Sequence, residues 1–158
     1  TYLLNLKNSF KDHSKLYLPR QRSSVIRIFN YGMNNAEKNV HDKLSSLGLR
    51  PTGKVILESK YGTYNEIDNS FEFNGSKYFV LITDTKSDYI EVIANHAKHH
   101  VGQAFFIKRL CDSDYKILSV ILSKRNDIGN SKWSRYLKEY CKVVTSLDGL
   151  NEILRFSN

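Results

Sequence analysis

The sequence predicts an α/β fold in which helices cover both faces of a mixed sheet. Three observations predict it. The runs "KYFVLIT" (77–83) and "YKILSVILS" (115–123) are apolar on both alternating faces, as strands covered on both sides must be. A helix-periodic stretch from Asp88 to about Leu110 lies between them, with Ile90, Ile93, Ala94, Ala97, Val101, Ala104 and Phe105 at helical intervals. So long a crossover requires parallel pairing of the two runs, whereas "NGS" ahead of the first folds back an antiparallel hairpin, so the sheet is mixed.

The remaining elements follow in order. "TYLLNLKNSF" (1–10) has a helical pattern and "SSVIRIF" (23–29) a strand pattern, with Pro19 between them. "NNAEKNVHDKLSSLG" (34–48) reads as a helix with an Asn cap and a terminating Gly48; its stripe is Ala36, Val40, Leu44 and Leu47, and Glu37 sits on the border of that stripe. "KVILES" reads as a strand, "YGTY" as a turn, and "NEIDNSFEF" as a strand with Ile67, Asn69, Phe71 and Phe73 on one side and Glu66, Asp68, Ser70 and Glu72 on the other. Gly102 is a candidate break in the long helix. "KRNDIGNSKWSRY" reads as a polar, basic loop, "KVVTS" as a short strand and "LDGLNEILRF" as a terminal helix.

At 158 residues the chain suits one domain with a single core, divided at about residue 30 into a basic segment, 1–30, and a main domain, 31–158. Twenty-four Lys and Arg against sixteen Asp and Glu leave a formal charge of +8, a balance that favours polyanions. No apolar run is long enough to cross a bilayer, and no signal peptide is visible, so an intracellular location is expected. Cys111 and Cys141 have no metal-ligand spacing and read as buried, reduced thiols. His96, His99 and His100 read as a polar helix face, with zinc a weaker alternative because no acid joins them. Trp133 suits either stacking on a base or burial against the terminal helix.

The acids at the ends of the apolar runs carry the chemistry. By the two-residue strand period, Asp84 and Lys86 share a face with Val80 and Ile82. A two-residue Asn74–Gly75 turn pairs residues whose numbers total 149, which points Asp68 and Asp84 to opposite faces. Bringing them together requires an odd loop or a bulge. Given that, Asp68, Asp84, Glu37 and the carbonyl of Thr85 offer oxygen donors suited to a hard cation, and Lys86 can stabilise charge on a phosphate.

A helical Glu, an Asp on the second strand and Asp-x-Lys closing a buried third strand resemble the PD-(D/E)XK nuclease superfamily over about Asn34 to Leu154. The layout is similar to Holliday-junction resolvases and restriction endonucleases, and implies a restriction-endonuclease-like α/β/α core. The resemblance implies an Mg²⁺-dependent endonuclease, Mn²⁺ substituting, with Glu37, Asp68, Asp84 and Lys86 catalytic and Glu37, Asp68, Asp84 and Thr85 holding metal. Ile67 stands where the motif has Pro, and Asp84 where Glu is commoner. "NEID" also looks like the form found in nuclease domains of some CRISPR-associated effectors, which adds Glu66 as an alternative ligand. Gln103 matches a further polar position of some members. DNA is the expected substrate, gathered by Lys98, Gln103, Lys108, Arg109, Lys124, Arg125, Lys132 and Arg135, and a junction or restriction substrate implies a homodimer. The alternatives are RNA cleavage, as in similar viral cap-snatching cores, and a silent nucleic-acid-binding or assembly module of the same fold.

Overall fold

The computed structural model describes residues 15–17, 25–29, 32–58, 64–111 and 115–156. Its elements are β1 (Lys15–Tyr17), β2 (Val25–Phe29), α1 (Asn35–Ser46), β3 (Lys54–Glu58), β4 (Tyr64–Ile67), β5 (Asn69–Phe73), β6 (Ser76–Asp84), α2 (Ile90–Leu110), β7 (Tyr115–Leu122), α3 (Lys132–Tyr140), β8 (Lys142–Val144) and a 3₁₀ helix (Asp148–Arg155). This is the α/β fold with a mixed sheet that the apolar runs predict. The helical pattern at 1–10 lies outside the described residues; the strand pattern at 23–29 becomes β2, which pairs antiparallel with β3.

The strands form two four-stranded sheets, β1-β2-β3-β4 and β5-β6-β7-β8. The first is antiparallel throughout. In the second, β5 and β6 are antiparallel while β6, β7 and β8 run parallel, as the α2 crossover demands. Asn74 and Gly75, both at positive φ, make the two-residue turn that sets Asn69 opposite Val80 and Phe71 opposite Tyr78. That last pair stacks its rings 4.9 Å apart.

Both faces of β6 and β7 are covered. On one, Ile93, Ala97, Val101, Ala104 and Ile107 of α2 and Leu137 of α3 pack on Phe79, Leu81, Ile117 and Ile121. On the other, Val40 and Leu44 of α1 and Leu150 and Ile153 of the 3₁₀ helix pack on Tyr78, Val80, Ile82, Leu118 and Val120. Truncating such a side chain, Leu81→Ala for example, costs about 2–5 kcal/mol.

Three expectations need correction. The basic loop is shorter than its composition suggests, because α3 begins at Lys132; Ser131 caps it by accepting from the Ser134 amide, and buried Ser134 donates to the Ile128 carbonyl at 2.7 Å. The polar residues that read as loop are thus a cap and a satisfied buried hydroxyl. Gly102 does not break α2, whose apolar face continues through Ala104 and Ile107. The terminal helix winds as a 3₁₀ helix.

Candidate active site

The strand predicted for 65–73 is interrupted at Asp68, and the interruption reverses its faces. Ile67 belongs to the core under α2, yet Asn69 faces α1, where its amide nitrogen meets His41 Nδ1 at 3.0 Å and its Oδ1 accepts from the Gly53 amide at 2.9 Å. Two consecutive residues, Asp68 and Asn69, therefore lie toward α1, as in a β-bulge. The expectation that Ile67, Asn69, Phe71 and Phe73 line one face is overturned: Ile67 is on the opposite face from Asn69 and Phe71. The bulge is the device that Asp68 requires, since the Asn74–Gly75 turn has the register that would otherwise turn it from Asp84.

Glu37 of α1 completes a capping box: its amide donates to Asn34 Oδ1 at 2.8 Å and its Oε1 accepts from the Asn34 amide at 2.9 Å. It is buried nonetheless, and its Oε2 lies 3.3 Å from Lys54 Nζ. The β3–β4 register, Val55 opposite Ile67, sets Lys54 level with Asp68, and Lys54 also pairs with Glu66. Sequence reading missed Lys54; its only signal was a cation directly ahead of the apolar residues Val55, Ile56 and Leu57.

Burial pushes the Asp68 carboxyl up to about 8, helped by its hydrogen bond to Glu37 and the charge there; the Ile82 amide, donating to Asp68 Oδ2 at 2.7 Å, and the Lys54 charge work against this. Burial lowers the Lys54 ammonium, but its hydrogen bond to Glu66 and the charges of Glu37 and Glu66 prevail and hold it above its usual range. Lys54 thus stands among three carboxyls, in contact with Glu37 and Glu66 and acting on Asp68 through its charge.

Asp84 closes β6. Its neighbour Thr83 bonds His100 of α2 across 2.8 Å, so Asp84 falls on the opposite face, that of α1, Glu37 and Asp68. Thr85 is buried and its amide donates to the Leu122 carbonyl at 2.8 Å. Asp84 and Lys86 are exposed and make no ion pair among the described residues. Glu37 and Asp68 are brought together, whereas no three His, Cys, Asp or Glu side chains cluster closely enough among the described residues to enclose an ion. The donor chemistry of the pair suits a hard divalent cation: two oxygen ligands, one raised chiefly by burial and further by its neighbour, are the kind that such a cation relieves.

The fold has a known counterpart. Can2 from Sulfobacillus thermosulfidooxidans, solved in complex with cyclic tetra-adenylate, matches with a TM-score of 0.51 at 14% identity, over 77% of this chain and 35% of that one. VC1899 from Vibrio cholerae matches with a TM-score of 0.45 at 13% identity, over 75% of this chain and 31% of that one. The chain spans about a third of the length of these proteins, and at 14% identity the Can2 match speaks for the fold alone. No family model matches the chain, and no curated protein does.

The cations expected to gather phosphate lie in two places. Lys124 and Arg125 are exposed just beyond β7, beside the end of β6 where Asp84 emerges, and Arg125 pairs with Asp127 at 3.2 Å. Lys98, Lys108 and Arg109 on α2 and Lys132 and Arg135 on α3 are exposed, with Gln103 half-exposed, on the layer that covers the other face of the sheet. His100 does not belong to the polar face expected of it. It is buried, bonded through Nε2 to Thr83 and through Nδ1 to Ser119 at 2.6 Å, and burial holds it down to about 3. Cys111 and Cys141 are buried free thiols, pushed up to about 12 by burial. Trp133 packs on the core under α2 and α3. Among the described residues no helix is long and apolar enough to cross a membrane.

Proposed function

We propose that this chain is a metal-dependent endonuclease of the PD-(D/E)XK type that hydrolyses phosphodiester bonds in DNA. The observation that carries the reading is the bulge at Asp68, which turns that acid to the face of Glu37 and Asp84. The same break carries the chain from the first sheet into the second, and with the Asn74–Gly75 register it is what sets Asp68 beside Glu37. Glu37 and Asp68 would hold Mg²⁺ or Mn²⁺, with Asp84 and the Thr85 carbonyl as donors from the adjoining strand end. Such a cation supplies charge neutralisation at the phosphate and a more acidic water. Lys54 holds positive charge beside the acids, while Lys86, exposed past Asp84, can reach a phosphate oxygen. Lys124 and Arg125 flank that end of the sheet.

The test is a cleavage panel of single-stranded DNA, duplex DNA, branched junctions and RNA with Mg²⁺ or Mn²⁺ titrated. Expected is metal-dependent cleavage that disappears in Asp68→Asn, Asp84→Ala and Lys86→Ala while binding persists. A second reading, a silent nucleic-acid-binding module, is favoured by one feature: Lys54 already pairs with Glu37 and Glu66, and no third donor joins Glu37 and Asp68 among the described residues. It predicts salt-sensitive binding with no cleavage at any metal concentration.

A further inference from the structure

The outer surface of α2 and α3 carries a series of exposed rings among cations. Phe105 and Tyr136 are each 47% exposed, Tyr140 38% and Phe106 36%, although an isolated helix layer has no reason to present four large rings to water. Trp133, Tyr136 and Tyr140 stand at helical spacings on one side of α3, over a rise of about 10 Å. Lys98 and Lys132 each place Nζ 5.4 Å from the centre of the Trp133 ring, and Phe105 meets Tyr140 edge-on at 4.9 Å. On the other flank of α2 runs a groove of about 500 Å³ whose lining includes Phe106, Lys98 and three carboxamides, those of Asn65, Asn95 and Gln103. Among the described residues the Asn65 amide nitrogen is buried without a partner.

We infer that this layer is a track for single-stranded nucleic acid, with bases stacking on the exposed rings, phosphates meeting Lys98 and Lys132, and one base entering the carboxamide-lined groove. Rings reward only bases whose faces are free, and a duplex hides those faces inside its own stack. A second copy of the chain is a poorer occupant. A two-fold contact through this face would set the cations Lys98, Arg109, Lys132 and Arg135 against a face carrying the same cations. The track lies on the sheet face opposite Glu37 and Asp68, so it holds a strand without supplying chemistry. It adds a substrate class to the nuclease reading and is tested without catalysis.

Gly102 makes the test clean. It lies on α2 one turn from Lys98 and Phe106, and a Cβ added there meets nothing within 4 Å, so Gly102→Glu puts bulk and negative charge on the track without touching the core. Fluorescence anisotropy in EDTA is measured with oligothymidylate and oligouridylate of about 12 nucleotides and a duplex of similar length. Expected is a preference for the single strands, weakened at least about tenfold by Gly102→Glu and roughly 5- to 100-fold by Phe106→Ala, with melting temperatures that are not lowered. Trp133 is the only tryptophan, so its fluorescence should be quenched by the single strands and not by the duplex. The thymidylate and uridylate arms tell DNA from RNA. Equal binding of strand and duplex without quenching, or variants that bind like the native chain, overturns the inference. So does concentration-dependent dimerisation abolished by Gly102→Glu, which assigns the face to self-association. If cleavage is never seen but strand binding behaves as stated, the nuclease reading alone fails; cleavage that survives with no strand preference removes this inference alone.

Discussion

The Asp68 carboxylate accepts the Ile82 amide hydrogen at 2.7 Å, so the acid's own side chain seals the strand break that redirects it. The same bond ties Asp68 to the strand that ends in Asp84. Geometry of the backbone and chemistry of the site are therefore one feature, and perturbing Asp68 should report on both.

Stability should fall with rising pH because of Asp68. Its carboxyl is at about 8 in the folded chain against 3.8 ordinarily, so between those values the native state keeps a proton that the unfolded state releases. The stabilisation is fully present below about pH 4 and is lost as pH rises through about 8. Asp68→Asn should match the native chain near pH 4 and exceed it near pH 9 by an amount on the order of a few kcal/mol, as read from urea midpoints. With the native chain, added Mg²⁺ should raise the melting temperature more at about pH 8.5 than at about pH 5.5, since a cation competes with that proton.

His100 should produce the opposite slope on the acid side. Held neutral down to about 3 between Thr83 and Ser119, it refuses a proton that the unfolded chain accepts near 6.5. Its contribution is complete above about pH 6.5 and is lost as pH falls toward 3. His100→Gln, which can still bond one of the two hydroxyls but does not titrate, should cost about 1–2 kcal/mol at pH 7 and flatten the decline measured between pH 6.5 and 4.

Lys54→Met keeps the apolar stem and removes the ammonium that bridges Glu37 and Glu66. The expected loss is about 1–3 kcal/mol near pH 8, shrinking toward pH 5 as Asp68 takes up its proton. Lys54→Arg should recover part of it. A loss that does not depend on pH would show that Lys54 acts by packing alone.

The hairpin turn sets the register against which the bulge works. Gly75 is at φ +77, so Gly75→Ala should cost about 1–2 kcal/mol in chemical denaturation, whereas Asn74→Gly should be nearly neutral.

Much of this protein was determined by short-range pattern. Runs apolar on both faces made β6 and β7 central, the α2 crossover made them parallel, Asn34 and Glu37 began α1, and Asn74–Gly75 closed the hairpin. Each depends on neighbours within a few residues or on a periodicity, which the chain states outright. The tertiary structure alone decided which way Asp68 points, because strand alternation predicts a face only until the register breaks, and the break is held by Ile82, fourteen residues away. It likewise decided that Lys54 meets Glu37, that His100 is a core residue and that α3 begins inside a basic stretch. A polar group's burial is set by partners that distant strands and helices bring to it, and those partners are absent from local sequence.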